Sequence, residues 1–280
     1  MMLSKTQIQQ FHQDGYLVLS EVIAKERILG LKNAALGIVD NFDIDKHRSV
    51  FSTGDRDSGR DEYFYQTAEN IHCFLEEGAL AENGELLKPR RLAINKIGHA
   101  MHDLHPEFER FCRQAIFADT LKEVGYRNPV LWQTMYIFKQ PQIGGEVRWH
   151  QDASYLITDP PSVTGVWVAI EDATRDNGCL WVQPGGHRSP EREIFEVDWN
   201  SGKGHLKSLY SMAWPGMKEA LAVEVAAGSV ILFNDHMPHY SSQNLSPRSR
   251  HAFTMHVAEK STNWSERNWL QRPTLGNFEL

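Results

Sequence analysis

A histidine two residues before a carboxylate is half of a metal site. This chain carries that triplet three times: His12-Gln13-Asp14, His105-Pro106-Glu107 and His150-Gln151-Asp152. With 13 histidines and 36 acidic residues in 280 positions, chance alone supplies about two such triplets, so context must choose among them. His12 and Asp14 fall at the end of an expected surface helix, and His105 precedes a proline between helices. His150 and Asp152 follow a Gly144-Gly145 turn and a short segment, Glu146 to Trp149. In extended chain, residues i and i+2 share a face, so one imidazole and one carboxylate would converge there. That is two of the three ligands of a 2-His-1-carboxylate triad, which leaves adjacent positions open on Fe(II).

The third ligand should stand at the end of another strand. Gly228 to Phe233 reads as one, and it runs into Asn234-Asp235-His236-Met237-Pro238-His239, where both His236 and His239 are available. Arg250 opens an alternating stretch to Val257 and shares a face with Ala252, Thr254 and His256. A guanidinium on an inward face must be paired. Either a structural salt bridge pairs it, or a cosubstrate carboxylate does so through a bidentate fork.

These residues need a scaffold, and the hydrophobic period describes one. Ser4 with Gln7 is a capping box that opens a helix to about Gln13. Tyr16 to Leu19 reads as a strand. Ala24 to Val39 repeats apolar residues at helical spacing, and segments near 92–105 and 106–124 also read as helices. From about Val130 the period becomes two. Leu131, Gln133, Met135 and Ile137 share one face of a strand, and Val166, Val168 and Ile170 oppose Trp167 and Ala169 in another. Strands without intervening helices pair antiparallel. The expected fold is α+β, mainly β: a jelly-roll barrel with N-terminal helices on one outer face. One domain is expected over 1–280, helical over about 1–128, with the β core over about 129–260.

Composition narrows the class. The charge of −7 argues against a nucleic-acid partner. No apolar run reaches about 18 residues, so no membrane span is expected. Cys73, Cys112 and Cys179 form no CxxC pair, which fits reduced thiols in a cytoplasmic protein. Oligomeric state has no sequence signature here.

At these residues the sequence resembles the phytanoyl-CoA dioxygenase family of Fe(II)/2-oxoglutarate oxygenases. The resemblance runs from Phe11-His12-Gln13-Asp14-Gly15-Tyr16 onward. It is densest in Gln133 to Pro141, Gly144 to Val147, His150 to Ser154, and Gln243 to Ser246 through Arg250. It implies a double-stranded β-helix with iron ligands at His150, Asp152 and His239. The family's distal histidine precedes a serine by two residues and an arginine by eleven, which Ser241 and Arg250 satisfy only from His239. It further implies a 2-oxoglutarate pocket in which Arg250 holds the far carboxylate, Ser241 adds a hydroxyl, and Lys96, Met135 and Trp167 make the other contacts.

The implied reaction consumes O₂, decarboxylates 2-oxoglutarate to succinate and CO₂, and oxidises a C–H bond of a small-molecule substrate, with ascorbate as a supportive reductant. Because Asp152 is present, the resemblance implies hydroxylation or a related oxidation and not halogenation. The alternative is a non-catalytic metal- and 2-oxoglutarate-binding module of the same fold. Arg148-Trp149 stand where the family resemblance implies smaller or more neutral residues, and no motif selects a substrate. Two segments are lid candidates: 41–66, with Tyr63, Phe64 and Tyr65, and 189–220, with Trp199 and Trp214. Ile71 to Glu76 is a further candidate pocket wall. Lys88-Pro89-Arg90-Arg91 is the compact basic cluster, read as a solvated charge run or a phosphate dock.

Overall fold

The first helix begins at the expected capping box. In the computed structural model, which describes residues 2–51 and 62–280, the Ser4 hydroxyl accepts from the Gln7 amide, and the Gln7 side chain accepts from the Ser4 amide. This opens α1 (Lys5–Asp14), and Gly15 closes it at φ 79°. There follow β1 (Tyr16–Leu19), α2 (Lys25–Asn41), α3 (Glu62–Gln66), β2 (Ile71–Leu75), α4 (Arg90–Ala93), β3 (Ile94–His99), α5 (Met101–Leu104), α6 (Pro106–Cys112) and α7 (Ala115–Glu123). The strand-rich part comprises β4 (Pro129–Ile137), β5 (Val147–His150), β6 (Thr158–Asp159), β7 (Thr164–Ala169), β8 (Leu180–Val182), β9 (Glu193–Asp198), β10 (Lys203–Ser208), β11 (Leu221–Val223), β12 (Val230–Asn234), β13 (His239–Ser241), β14 (Ala252–Glu259), β15 (Asn263–Trp264) and β16 (Phe278–Glu279).

Two antiparallel sheets hold most of these strands, and β9–β10 and β6–β15 pair separately. The larger runs β1-β12-β7-β14-β4-β3-β2, with β16 also on β4, and the smaller runs β11-β8-β13-β5. The expected closed barrel is not formed: among the described residues no ladder joins the two sheets. The fold is mainly β and antiparallel, with helices.

Alternation along the large sheet separates two environments. Tyr136, Val166, Val168, Leu232, Phe253 and Met255 belong to one apolar cluster, which also holds Ile28, Leu31, Ala35 and Val39 of α2 and Phe108 and Phe111 of α6. Gln133, Met135, Ile137, Trp167, Thr254 and His256 line a cavity of about 480 Å³ on the opposite face.

Two sequence expectations change here. The helix near 92–105 is in fact a strand between two single turns, because β3 pairs on both sides, Lys96 opposite Phe74 and Ile137. Leu131 does not share the face of Gln133. A bulge skips Trp132 between the pairs Gln133–His256 and Leu131–Val257, which turns Leu131 into the helix-side cluster. Trp132 stacks on Trp264 with ring centroids 3.7 Å apart.

Other segments resolve simply. The three cysteines are free and buried, and burial pushes the Cys73 thiol up to about 12. The two arginines of the basic cluster are occupied internally. Arg91 pairs with the Asp40 carboxylate, and Arg90 donates to the Asp40 and Phe42 carbonyls, where the C-terminus of α2 favours positive charge. No helix among the described residues is long and apolar enough to cross a membrane.

Candidate metal centre and cosubstrate pocket

His150 and His239 meet because β5 and β13 are neighbours in the small sheet, where the two residues are register partners. Their ring centroids lie 4.0 Å apart. Each ring is oriented by its own chain: His150 Nδ1 is 2.8 Å from the Arg148 carbonyl, and His239 Nδ1 is 2.9 Å from the Met237 carbonyl. With Nδ1–H donating, both Nε2 lone pairs face the centre.

Asp152 reaches the same point from a 3₁₀ turn (Asp152–Ser154) and not from the strand that the sequence suggested. Its Oδ1 lies 3.6 Å from His150 Nε2 and 3.7 Å from His239 Nε2. One ligand atom from each of the three residues lies within 4.8 Å of the others. The turn is pinned by Gln151, whose side chain donates to the His236 carbonyl and accepts from the Arg192 amide.

The electrostatics favour a cation. Burial pushes the His150 imidazole down to about 3, and the His239 ring adds to this. Burial alone would raise the Asp152 carboxyl. The nearby imidazoles, His256 foremost, outweigh it and hold Asp152 well below the usual carboxylate range. His236 lies outside the cluster; its Nδ1 bonds Asp235 Oδ1 at 3.0 Å, and that bond raises its pKa.

His256 has a part that sequence reading missed. Its Nε2 lies 3.0 Å from Asp152 Oδ2, the oxygen turned away from the other two imidazoles, and its Nδ1 lies 3.0 Å from Gln133 Nε2. The only signal was its place on Arg250's face of β14.

Arg250 lies two residues before β14, and the residue is 2% exposed. Its Nε donates to the Gly178 carbonyl at 3.0 Å, and Nη2 reaches Ser241 Oγ at 3.4 Å. Nη1 is buried with no partner. Ser241 Oγ also donates to Gly178. Gly178 sits at φ 89°, with the Lys139 side chain where a Cβ would stand, so this residue must be glycine. Burial lowers Arg250 to about 10, so it stays charged at neutral pH.

The remaining expected residues line the same cavity: Lys96 on β3, Met135 on β4 and Trp167 on β7. The Lys96 ammonium lies 3.5 Å from the centroid of the Phe51 ring, and the Trp167 ring 5.5 Å from Arg250 Cζ. The strand geometry of β3 turns Lys96 inward, which a solvated helix would not have done.

Phe64, Tyr65, Phe195, Leu206, Trp214 and Trp269 also line the cavity, and Trp149 stacks on Tyr240. Phe195 and Leu206 come from the β9–β10 hairpin, within one of the two lid candidates, whose Trp199 is exposed. Of the other candidate, residues 52–61 and the Tyr63 side chain lie outside the described residues. From 71–76, only Glu76 lines the cavity.

Comparison with known proteins places this geometry in a family. The phytanoyl-CoA dioxygenase (PhyH) model matches residues 11–252. The chain belongs to the phytanoyl-CoA dioxygenase family. It is 40% identical over 273 residues to the phytanoyl-CoA dioxygenase of Arabidopsis thaliana, covering 96% of this chain and 94% of that one. It is 37% identical over 277 residues to the mouse phytanoyl-CoA dioxygenase domain-containing protein 1, covering 96% and 95%. The fold is similar to the epimerase SnoN solved with Fe³⁺, alpha ketoglutarate and nogalamycin RO (TM-score 0.66, 12% identity, 97% of this chain and 91% of that one). It is also similar to EctD from S. alaskensis solved with 2-oxoglutarate and 5-hydroxyectoine (TM-score 0.63, 19% identity, 95% and 79%). This family PhyH member is an oxygenase.

Proposed function

We propose that the chain is an Fe(II)- and 2-oxoglutarate-dependent dioxygenase that hydroxylates, or otherwise oxidises at a C–H bond, a small organic molecule. One jelly-roll domain would carry the activity, with the N-terminal helices backing the large sheet. The observation that carries this reading is a single cavity lined both by a three-ligand cluster and by a buried, half-paired guanidinium.

The residues fit the cofactors. His150, Asp152 and His239 would hold Fe(II), because two neutral imidazoles and one carboxylate suit that ion and leave positions open. The unpartnered Nη1 of Arg250 fits a carboxylate oxygen, with Nη2 and Ser241 Oγ beside it. Trp167 and Met135 would form the walls of the cosubstrate half, and Lys96 would add a second cation. When bound, the metal and 2-oxoglutarate supply oxygen activation at the cost of the cosubstrate, released as succinate and CO₂.

The protein's own contribution is placement. The backbone carbonyls at Arg148 and Met237 keep the ligand rings turned inward. Gly178 fixes the guanidinium. The aromatic side chains of the cavity lining would keep bulk water from the reacting atoms.

The test is succinate formation from 2-oxoglutarate in air with Fe(II) and ascorbate, beside an Asp152→Ala control. Succinate from the wild type and none from the variant is expected. No succinate, with no Fe(II)–2-oxoglutarate absorption band under anoxic conditions, would overturn the reading.

A further inference from the structure

Between β10 and β11 the chain faces solvent almost throughout. From Leu209 to Ala220 it forms neither helix nor strand, and every residue is exposed except Trp214, Pro215 and Ala220. Trp214 is the one residue of this stretch that lines the cavity. A loop that buries so little would leave a ring free to swing, yet this ring has a fixed partner. The Arg192 guanidinium lies over it, with Cζ 4.9 Å from the ring centroid.

Arg192 is a buried cation without a counter-ion. The residue is 5% exposed. Its side chain donates from Nη1 to Ser189 Oγ at 3.2 Å, and its Nε has no partner. Burial lowers its pKa, and among the described residues no carboxylate offsets that. A guanidinium so placed must be compensated in another way, and the π-face of Trp214 does so. The backbone of Arg192 is itself tied down. Its amide donates to Gln151 Oε1 at 3.0 Å, and its carbonyl accepts from the Leu209 amide at 2.8 Å. Gln151 stands between the ligands His150 and Asp152, so the ring is set from a point anchored beside the metal centre.

Trp214 lines the cavity and Arg192 does not, so the ring stands between the guanidinium and the cavity space. A cation behind an aromatic ring draws electron density toward itself and weakens the negative potential on the other side. That side is then a poor seat for an ammonium group. It is a good one for a neutral aromatic ring, which brings an electron-rich face of its own. Phe195, three residues after Arg192, adds a second ring to the same lining, with its centroid 5.8 Å from that of Tyr155.

We propose that Trp214 is a specificity-determining residue, its cavity side stacking on a neutral aromatic ring carried by the substrate, and that Arg192 is the positioning residue that holds and polarises it. The proposal deepens the oxygenase reading and rests on it for the cavity's being a substrate site. Because the loop buries little else, a change at 214 alters the pocket and leaves the sheets in place.

The test measures dissociation constants by ligand-observed NMR titration on the full chain loaded with 2-oxoglutarate and Zn(II), which holds the site without turnover. The probes are naphthalen-2-ylmethanol beside its saturated decahydro analogue, and benzyl alcohol beside cyclohexylmethanol and benzyltrimethylammonium. In the wild type the aromatic alcohol of at least one pair should bind about fivefold or more tightly than its saturated partner. Trp214→Leu should bring that preference to within about twofold while still binding 2-oxoglutarate and Zn(II), and Trp214→Phe should retain most of it. Arg192→Met keeps the stem and the backbone contacts and removes the charge. It should improve benzyltrimethylammonium relative to benzyl alcohol by about threefold or more, and Arg192→Lys should not. No aromatic preference in either pair, or one that survives in Trp214→Leu, would overturn the role of Trp214. An unchanged ratio of ammonium to alcohol in Arg192→Met would overturn that of Arg192. Failure of the oxygenase reading would register separately, as absence of the Fe(II)–2-oxoglutarate band in the wild type.

Discussion

At the scale of residues, the site leaves a buried guanidinium nitrogen unpaired. Arg250 makes this concrete, since its Nη1 has nothing to bond within the protein. Arg250→Ala should raise the 2-oxoglutarate concentration needed for succinate formation by about thirtyfold or more, as expected for loss of a buried charge-assisted pair. The Fe(II) requirement should change much less, and equal changes in a two-way titration would move the cosubstrate elsewhere. His239→Ala should abolish succinate formation and His236→Ala should not, because His236 is turned onto Asp235; the reverse result would transfer the ligand role. Glu191 offers a pH test. Burial pushes its carboxyl up to about 7, so the folded state holds a proton that the unfolded state releases near 4.5. Stability is then lost as pH rises from about 4.5 through 7. Glu191→Gln should be more stable than the wild type at pH 8 by about 1 kcal/mol after solvent screening, and indistinguishable at pH 4. Denaturant melts at the two pH values decide it.

At the scale of elements, register does the positioning. β5 and β13 pair His150 with His239, and β14 carries Arg250's face onward to His256. Gly165 on β7 shows how tight this is. A Cβ there would stand 2.5 Å from the Phe233 ring, which packs 4.8 Å from that of His239. Gly165→Ala should cost about 1–3 kcal/mol through overpacking and weaken metal binding by displacing Phe233, read as a lower melting temperature together with a weaker Co(II) titration. A lower melting temperature with unchanged Co(II) affinity would show that Phe233 does not buttress the ligand. The bulge at Trp132 has a similar part: it places Gln133 and Leu131 on opposite faces, one in the cavity and one in the helix-side core.

At the scale of the whole molecule, the cavity lies between two sheets that no ladder joins among the described residues, so what fills it should hold them together. Fe(II) and 2-oxoglutarate added together without oxygen, each at about a hundred times its dissociation constant, should raise the melting temperature by roughly 5 °C or more. Arg250→Ala should lose the part contributed by 2-oxoglutarate and keep the part contributed by metal. A shift as large with metal alone would show that the cosubstrate does not bridge the sheets.

Much of this was readable from residue order. The His150-Gln151-Asp152 triplet, the spacing from His239 to Ser241 and Arg250, the capping box at Ser4 and the alternation of the later strands are local patterns, and local patterns survive in a linear text. The missed features depend on pairing. The spacing of Ile94 and Ile97, three apart, predicts helix over β3, and only its ladders to β2 and β4 make it a strand. His256 lies 104 residues from Asp152, and nothing in either neighbourhood announces the other. The unpaired nitrogen of Arg250 exists only once surrounding chain has excluded water and taken every other partner. Residue types carry the chemistry, and burial, which belongs to the folded chain alone, decides which of their atoms are left to use it.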